Sequence, residues 1–192
     1  MRQHGKRWFG ILLTLALILG LMPGMSLTAY ADGTTYNPAS TYTGFGELIT
    51  NDTEVTIGEV PGKTWYVIAN DNSTVTLLSK QSFENKAFNS SGTGNNYESS
   101  EIKTYVDGLT GEGQPLAGIS SVISDLTLID KNMANGLSET KRKGTGAGWW
   151  LRLPGTYDIN AAFVVGEDGL VDGSGIYVRE QFGVRLALKR TW

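Results

Sequence analysis

Two adjacent indoles, a guanidinium and a tight turn stand together in Trp149–Trp150–Leu151–Arg152–Leu153–Pro154–Gly155. Aromatic faces and planar, multiply donating groups are the side chains that suit a shallow glycan or peptide groove. Strand alternation sets Trp149, Leu151 and Leu153 on one face and Trp150 and Arg152 on the other. Trp150 and Arg152 are therefore the pair that could line such a groove. The same residue types serve a core equally well. Tryptophan is highly buried on average, and an arginine beside a ring with a carboxylate partner is a stable packing unit. The core reading is the stronger. It moves the search for a ligand to the loop that follows, with Thr156, Tyr157, Asp158 and Asn160, and to the long polar stretch 81–98.

What is missing narrows the chemistry further. The chain has no Cys, and its one His is His4 near the amino terminus. Ser-His-Asp and Cys-His nucleophilic sites are excluded, as are thiolate redox chemistry and Cys/His zinc sites, so no cofactor or metal is expected. Ser100–Glu101–Ile102–Lys103 and Ser138–Glu139–Thr140–Lys141 have the Ser-x-x-Lys spacing of penicillin-recognising enzymes, but the companion motifs are missing. Ser100 reads as a helix cap. Asp168–Gly169 and Asp172–Gly173 offer too few oxygens for Ca²⁺ and read as hairpin turns. A carboxylate-pair hydrolase remains an open alternative, because 19 acids permit many pairings and no single pair stands out by spacing.

Residues 1–31 have the three parts of a secretory signal. Arg2, Lys6 and Arg7 are basic, Trp8 to Leu21 are almost all apolar, and Ala29–Tyr30–Ala31 fits a cleavage site that places the mature start at Asp32. Cleavage removes three cations and no acids, leaving 161 residues and a net charge of −6. No membrane span is expected after cleavage, and an acidic chain argues against nucleic acid as a partner. The basic tract Lys141–Arg142–Lys143 reads as a solvated loop. The expected compartment is extracellular, with non-covalent association to a cell surface allowed.

The elements that must position these residues follow from periodicity. Residues 32–46 read as a polar arm and 47–192 as one domain. Val55–Gly58 alternates as a strand, and Thr64–Ala69 and Ser73–Ser79 form a hairpin across an Asn/Asp turn. A helix runs from a cap at Ser99 or Ser100 through Val106. Ile119, Val122, Ile123 and Leu126 have the spacing of a second helix, and Thr127–Ile129 reads as a short strand. Residues 131–148 read as an exposed, mobile excursion. The last third reads as strands Gly148–Leu153, Ala161–Val165, Ile176–Val178 and Gly183–Leu188. The expected fold is α+β: short antiparallel strands with two central helices.

Trp149–Trp150–Leu151–Arg152, Pro154–Gly155, Ala161, Gly169 and the closing Gly183–Val184–Arg185–Leu186–Ala187–Leu188 resemble the bacterial surface-protein family known as domain of unknown function 6273. Leu153 stands where that family has Ser, and Leu186 where it has Pro. The upstream Gly62–Ile68, Leu77–Ser79 and Ser99–Val106 fit the family's opening hairpin and helix, so the likeness covers roughly residues 45–190. The resemblance implies a secreted domain without an established activity. A looser, fold-level likeness is to C-type-lectin-like and formylglycine-generating-enzyme-like domains. The enzymes' copper-binding cysteines have no counterpart, and neither do the calcium-lectin sugar signatures. The expectation is a secreted, non-catalytic domain that binds an extracellular glycan or surface protein. A glycan-directed carboxylate hydrolase and a purely structural surface module are the alternatives.

Overall fold

The computed structural model describes residues 27–29, 35–36, 48–57, 60–71 and 73–191. The expected cleavage residues Ala31 and Asp32, with most of the leader and arm, lie outside the described residues. The chain runs through strands β1 (Leu27–Ala29), β2 (Thr35–Tyr36), β3 (Glu54–Ile57), β4 (Thr64–Asp71), β5 (Thr74–Ser79) and β6 (Asn85–Ala87). Helix α1 (Glu101–Gly108) leads to β7 (Ile123–Thr127), then to the short helices α2 (Lys131–Gly136) and α3 (Glu139–Lys143). The last third holds β8 (Trp149–Pro154), β9 (Ala161–Val165), β10 (Ile176–Tyr177), β11 (Gln181–Gly183) and β12 (Ala187–Thr191). This is a mixed α+β architecture made mostly of strands. Among the described residues no helix is long and apolar enough to cross a membrane.

The strands form two sheets, one ordered β2-β1-β3-β4-β5-β12-β7 and the other β10-β9-β8-β11-β6. Among the described residues only the β8–β11 contact is parallel. The β4–β5 hairpin pairs Tyr66 with Leu78 and Val67 with Leu77, as its dense β-branched and aromatic residues foretell. β1 pairs with β3 although it lies before the expected cleavage point. At α1, the Ser100 hydroxyl accepts the Lys103 N–H at 3.1 Å, which is the expected cap, and Ile102 and Val106 turn into the core.

Five expectations are corrected. Ile119–Leu126 is not one helix: Ala117–Val122 is a 3₁₀ turn, and Ile123 onward extends because β12 supplies a ladder. The expected strand at Thr127–Ile129 accordingly ends at Thr127. The 81–98 stretch is not all surface loop, since it contains β6, and Phe88 and Tyr97 are buried. The 131–148 excursion forms α2 and α3, capped by the side chains of Asp130 and Ser138. Gly183–Leu188 is not a single strand. β11 ends at Gly183 in one sheet and β12 starts at Ala187 in the other, so Val184–Arg185–Leu186 carries the chain between sheets. Gly183 is required there: a Cβ would collide with Ser82 and approach the Gly148 carbonyl to 3.1 Å.

Both faces of the first half of β8, Trp149–Leu151, are covered, while Arg152 is half-buried and Leu153 and Pro154 are exposed. Trp150 packs in the larger core with Trp65, Val67, Leu77, Phe88 and Leu188, while Trp149 and Leu151 join Leu78, Ile129, Phe163 and Val165 in a second core. Alternation therefore holds over Trp149–Leu151, where it sorts residues between two cores rather than between core and water; Leu153, expected with Trp149 and Leu151, is exposed, past a register shift against β9. Burying each such side chain is worth roughly 1.5–3 kcal/mol, so β8 is the strand on which both cores depend.

Candidate functional site

The most chemically loaded cluster is sealed. Arg185 lies 4.6 Å over the Trp149 ring, donates from Nε to the Ser79 carbonyl at 2.6 Å, and donates from Nη1 to the Lys141 and Arg142 carbonyls at 2.8 Å each. Trp149 donates its indole N–H to the same Arg142 carbonyl at 2.9 Å. The last carbonyls of α3 thus receive donors that a helix end otherwise lacks, and a cation where its dipole is negative. Burial lowers the Arg185 pKa to about 9, leaving a cation at neutral pH. Lys141 is equally buried and donates to the carbonyls of Leu48 (3.2 Å), Ile49 (2.7 Å) and Val67 (3.1 Å). Its pKa is lowered by desolvation, with Asp52 pulling the other way. Arg142 donates to Gly169 and Leu137 carbonyls, and Lys143 pairs with Glu139 at 2.5 Å. The basic tract is therefore a helix that ties segments together and not a solvated loop. Gly144 permits this packing at φ +55°, where a Cβ would approach Arg185 Cζ to 3.0 Å.

The open chemistry lies at the other end of β8. Segments 89–96 and 154–161 are joined by side-chain amides. Asn95 Nδ2 donates to the carbonyls of Asp158 (3.3 Å) and Ala161 (2.9 Å), and the Gly94 N–H donates to Asn160 Oδ1 at 2.9 Å. Asn89 donates to the Thr93 and Gly94 carbonyls, while its Oδ1 accepts the Glu101 N–H at 2.9 Å, linking the junction to α1. Thr156 and Tyr157 N–H groups both donate to the Ser174 carbonyl. On this fixed loop Tyr157 is 66 % exposed and Ile159 79 % exposed. The Tyr157 ring meets Tyr177 edge-on at 5.9 Å, and the Arg179 guanidinium lies 5.8 Å over Tyr177. The neighbouring Tyr157 hydroxyl raises the Tyr177 pKa. Asn95, Asn96 and Glu98, with Arg152, Leu153 and Pro154 at the end of β8, line a groove of about 560 Å³.

The residues singled out from the sequence separate into three groups. Trp150 offers no surface to a ligand: it is fully buried between Phe88 (5.6 Å) and Phe182 (5.1 Å), with its indole N–H on the Lys86 carbonyl at 2.8 Å. Asp158 and Asn160 act within the junction. Asp158 Oδ1 accepts the Asn160 N–H at 2.7 Å, and the Asn160 carbonyl accepts the Val178 N–H at 2.8 Å. Arg152 and Tyr157 do reach solvent, with Arg152 paired to Asp130 at 3.0 Å. Tyr177, Ile159 and Arg179 were missed, and Asn95 was marked only as part of the 81–98 stretch. Tyr177 had one legible signal, its outward phase in a short strand whose neighbours Ile176 and Val178 are apolar.

Four carboxyl groups among the described residues are shifted, each downward. Glu101 is held low by the Ser90 hydroxyl, Glu139 by Lys143, and Asp172 by the Gly175 and Ser174 N–H groups. At Asp130 burial pushes upward but is outweighed by the Met133 N–H and Arg152, so the net shift is downward. A general acid of the two-carboxylate kind needs the opposite shift. Asp168 and Asp172 accept N–H groups of their own turns, at Leu170 and at Ser174 and Gly175. Among the described residues no group of three or more acids could hold a metal ion.

The chain is thus a mostly-strand α+β protein with a sealed cationic junction at one end of β8 and an exposed aromatic ridge at the other. Comparison with protein-family models, curated proteins and solved structures returned no match.

Proposed function

We propose that this chain is a secreted, non-catalytic binding domain of the 6273 kind, C-type-lectin-like in character, whose extracellular ligand is a glycan or surface protein. The observation that supports this reading is the Tyr157–Tyr177 ridge. It combines exposed rings, an adjacent guanidinium and a groove on a loop junction already stiffened by amide hydrogen bonds. Such preorganisation reduces the ordering cost of binding, and amphipathic rings suit sugar faces and protein hot spots alike. The downward carboxyl shifts and the lack of imidazole and thiol in the expected mature chain favour binding over hydrolysis. The test is a glycan array and a pull-down from cell envelopes, run with the native chain and with Tyr157→Ala/Tyr177→Ala. The expected result is a ligand whose retention falls at least ~10-fold in the double variant, about 1.4 kcal/mol. Absence of any retained ligand, or retention that ignores both tyrosines, would remove the proposal.

A further inference from the structure

The Tyr157–Tyr177 pair has a chemistry that calls for no ligand. Tyr157 is 66 % exposed and Tyr177 41 % exposed, and their rings meet edge-on with centroids 5.9 Å apart. The Tyr157 hydroxyl raises the Tyr177 pKa, so the hydroxyl ends of the two rings stand side by side. When a phenol loses an electron and a proton, the unpaired electron is shared with the ring carbons that flank the hydroxyl-bearing carbon. Those are the carbons that this geometry brings together. Backbone bonds hold the arrangement from both sides. The Tyr157 N–H donates to the Ser174 carbonyl at 3.0 Å, and the Val178 N–H to the Asn160 carbonyl at 2.8 Å. Tyr177 itself stands opposite Ala161 in the β9–β10 ladder.

The other tyrosines with described side chains are placed differently. Tyr66 and Tyr97 are buried, and Tyr105 is half-buried with Lys86 Nζ 4.7 Å from its ring centre. Among the described residues no other two tyrosine rings are in contact. The chain has no cysteine, so it carries no thiol of its own to reduce a tyrosyl radical. The Arg179 guanidinium, 5.8 Å over the Tyr177 ring, disfavours a positively charged radical and so favours release of the phenol proton with the electron.

We propose that Tyr157 and Tyr177 form an oxidative cross-linking site, at which a peroxide-driven one-electron oxidant couples their rings into a dityrosine. Each phenol loses one electron and one proton to give a neutral radical. The two radicals join through one carbon beside each hydroxyl, and the hydrogens on those carbons return to the oxygens as the rings regain aromaticity. Hydrogen peroxide takes up the two electrons and two protons and leaves as two waters. The coupling is intramolecular because the partner ring is already in place. Its product ties the 154–161 loop to β10 by a covalent bond, as a disulfide would in a chain with cysteine.

The test treats the full chain with hydrogen peroxide and a haem peroxidase. No glycan or partner takes part, so its failure is separate from a failure of ligand binding. Arg152 and Arg179 bound one tryptic peptide that contains both tyrosines, and Glu167 lies between them. Cleavage after Glu167 should give two halves that stay joined in the oxidised monomer, lighter by two hydrogens than their sum. Dityrosine fluorescence of the monomer should fall at least ~10-fold in Tyr157→Phe and in Tyr177→Phe. It should fall similarly when the native chain is oxidised in denaturing urea. The phenylalanine variants keep both rings and remove only a hydroxyl, so the fold is retained. Halves that separate after cleavage would overturn the proposal. So would fluorescence that the phenylalanine variants or urea leave unchanged, or a cross-link found only between two chains.

Discussion

The two ends of β8 use similar residue types for opposite purposes. At its start, Trp149 and Arg185 are fully enclosed, and the guanidinium donates to three backbone carbonyls from two separate segments. Past its end, Tyr157, Tyr177 and Arg179 form a ring-and-cation group of the same kind that stands in solvent. An aromatic–cation pair is therefore not a ligand site by composition. What separates the two is whether backbone acceptors occupy the cation. Where they do, the pair is a joint between sheets; where they do not, as at Arg179 with only the exposed Glu180 carboxylate at 3.6 Å beside it, the pair stands in solvent.

The largest expected effect lies at the enclosed end. Arg185→Ala strips three charge-assisted bonds from buried carbonyls and should cost ~3–5 kcal/mol in urea denaturation, as removal of a buried cation from its partners does. A loss below ~1 kcal/mol would break the comparison, because Arg185 would then not be a joint. Intermediate effects belong to Asp130, which caps α2 through the Met133 N–H at 2.9 Å and pairs with Arg152. Asp130→Ala should cost ~1–2 kcal/mol at neutral pH, most of it from the cap. The Asp130 pKa is lower folded than unfolded. Its contribution is thus present above the unfolded carboxyl range and lost as pH falls through the folded value. Urea midpoints of native and variant chains should converge on acidification; a gap that stays constant would place the effect in packing. The smallest effect belongs to the ridge. Tyr157→Ala and Tyr177→Ala should each leave stability within ~0.5 kcal/mol in the same measurement, since exposed side chains away from buried features change little.

The parts of the fold that were legible are those decided within a few residues. The β4–β5 hairpin has β-branched runs on both sides of a polar turn, and α1 has its cap at Ser100 with Ile102 and Val106 at helical spacing. The spacing of Ile119, Val122, Ile123 and Leu126 was satisfied by two structures. A helix would bury all four, but the β12 edge rewards extension from Ile123, and tertiary pairing outweighs propensity. Lys141 could not be read at all: its three acceptors lie 74 to 93 residues away, and the tract around it has the look of a solvated surface. Of the candidate site, the loop after Pro154–Gly155 was legible from its turn residues and its tyrosine. Its partner Tyr177 was legible only as an outward strand position, and strand phase alone does not tell an outward ring from a packed one.

By itself the sequence determined the chemistry available to this chain. It has no thiol, its one imidazole is at His4 in the expected leader, and it is acidic once that segment is set aside. It also determined the local elements, because caps, turns and periodicity act through adjacent residues. Tertiary structure decided which aromatic and cationic groups are enclosed and which are open. Whether Arg185 meets a carbonyl or Tyr177 meets water depends on segments distant in the chain, and no local pattern records that distance.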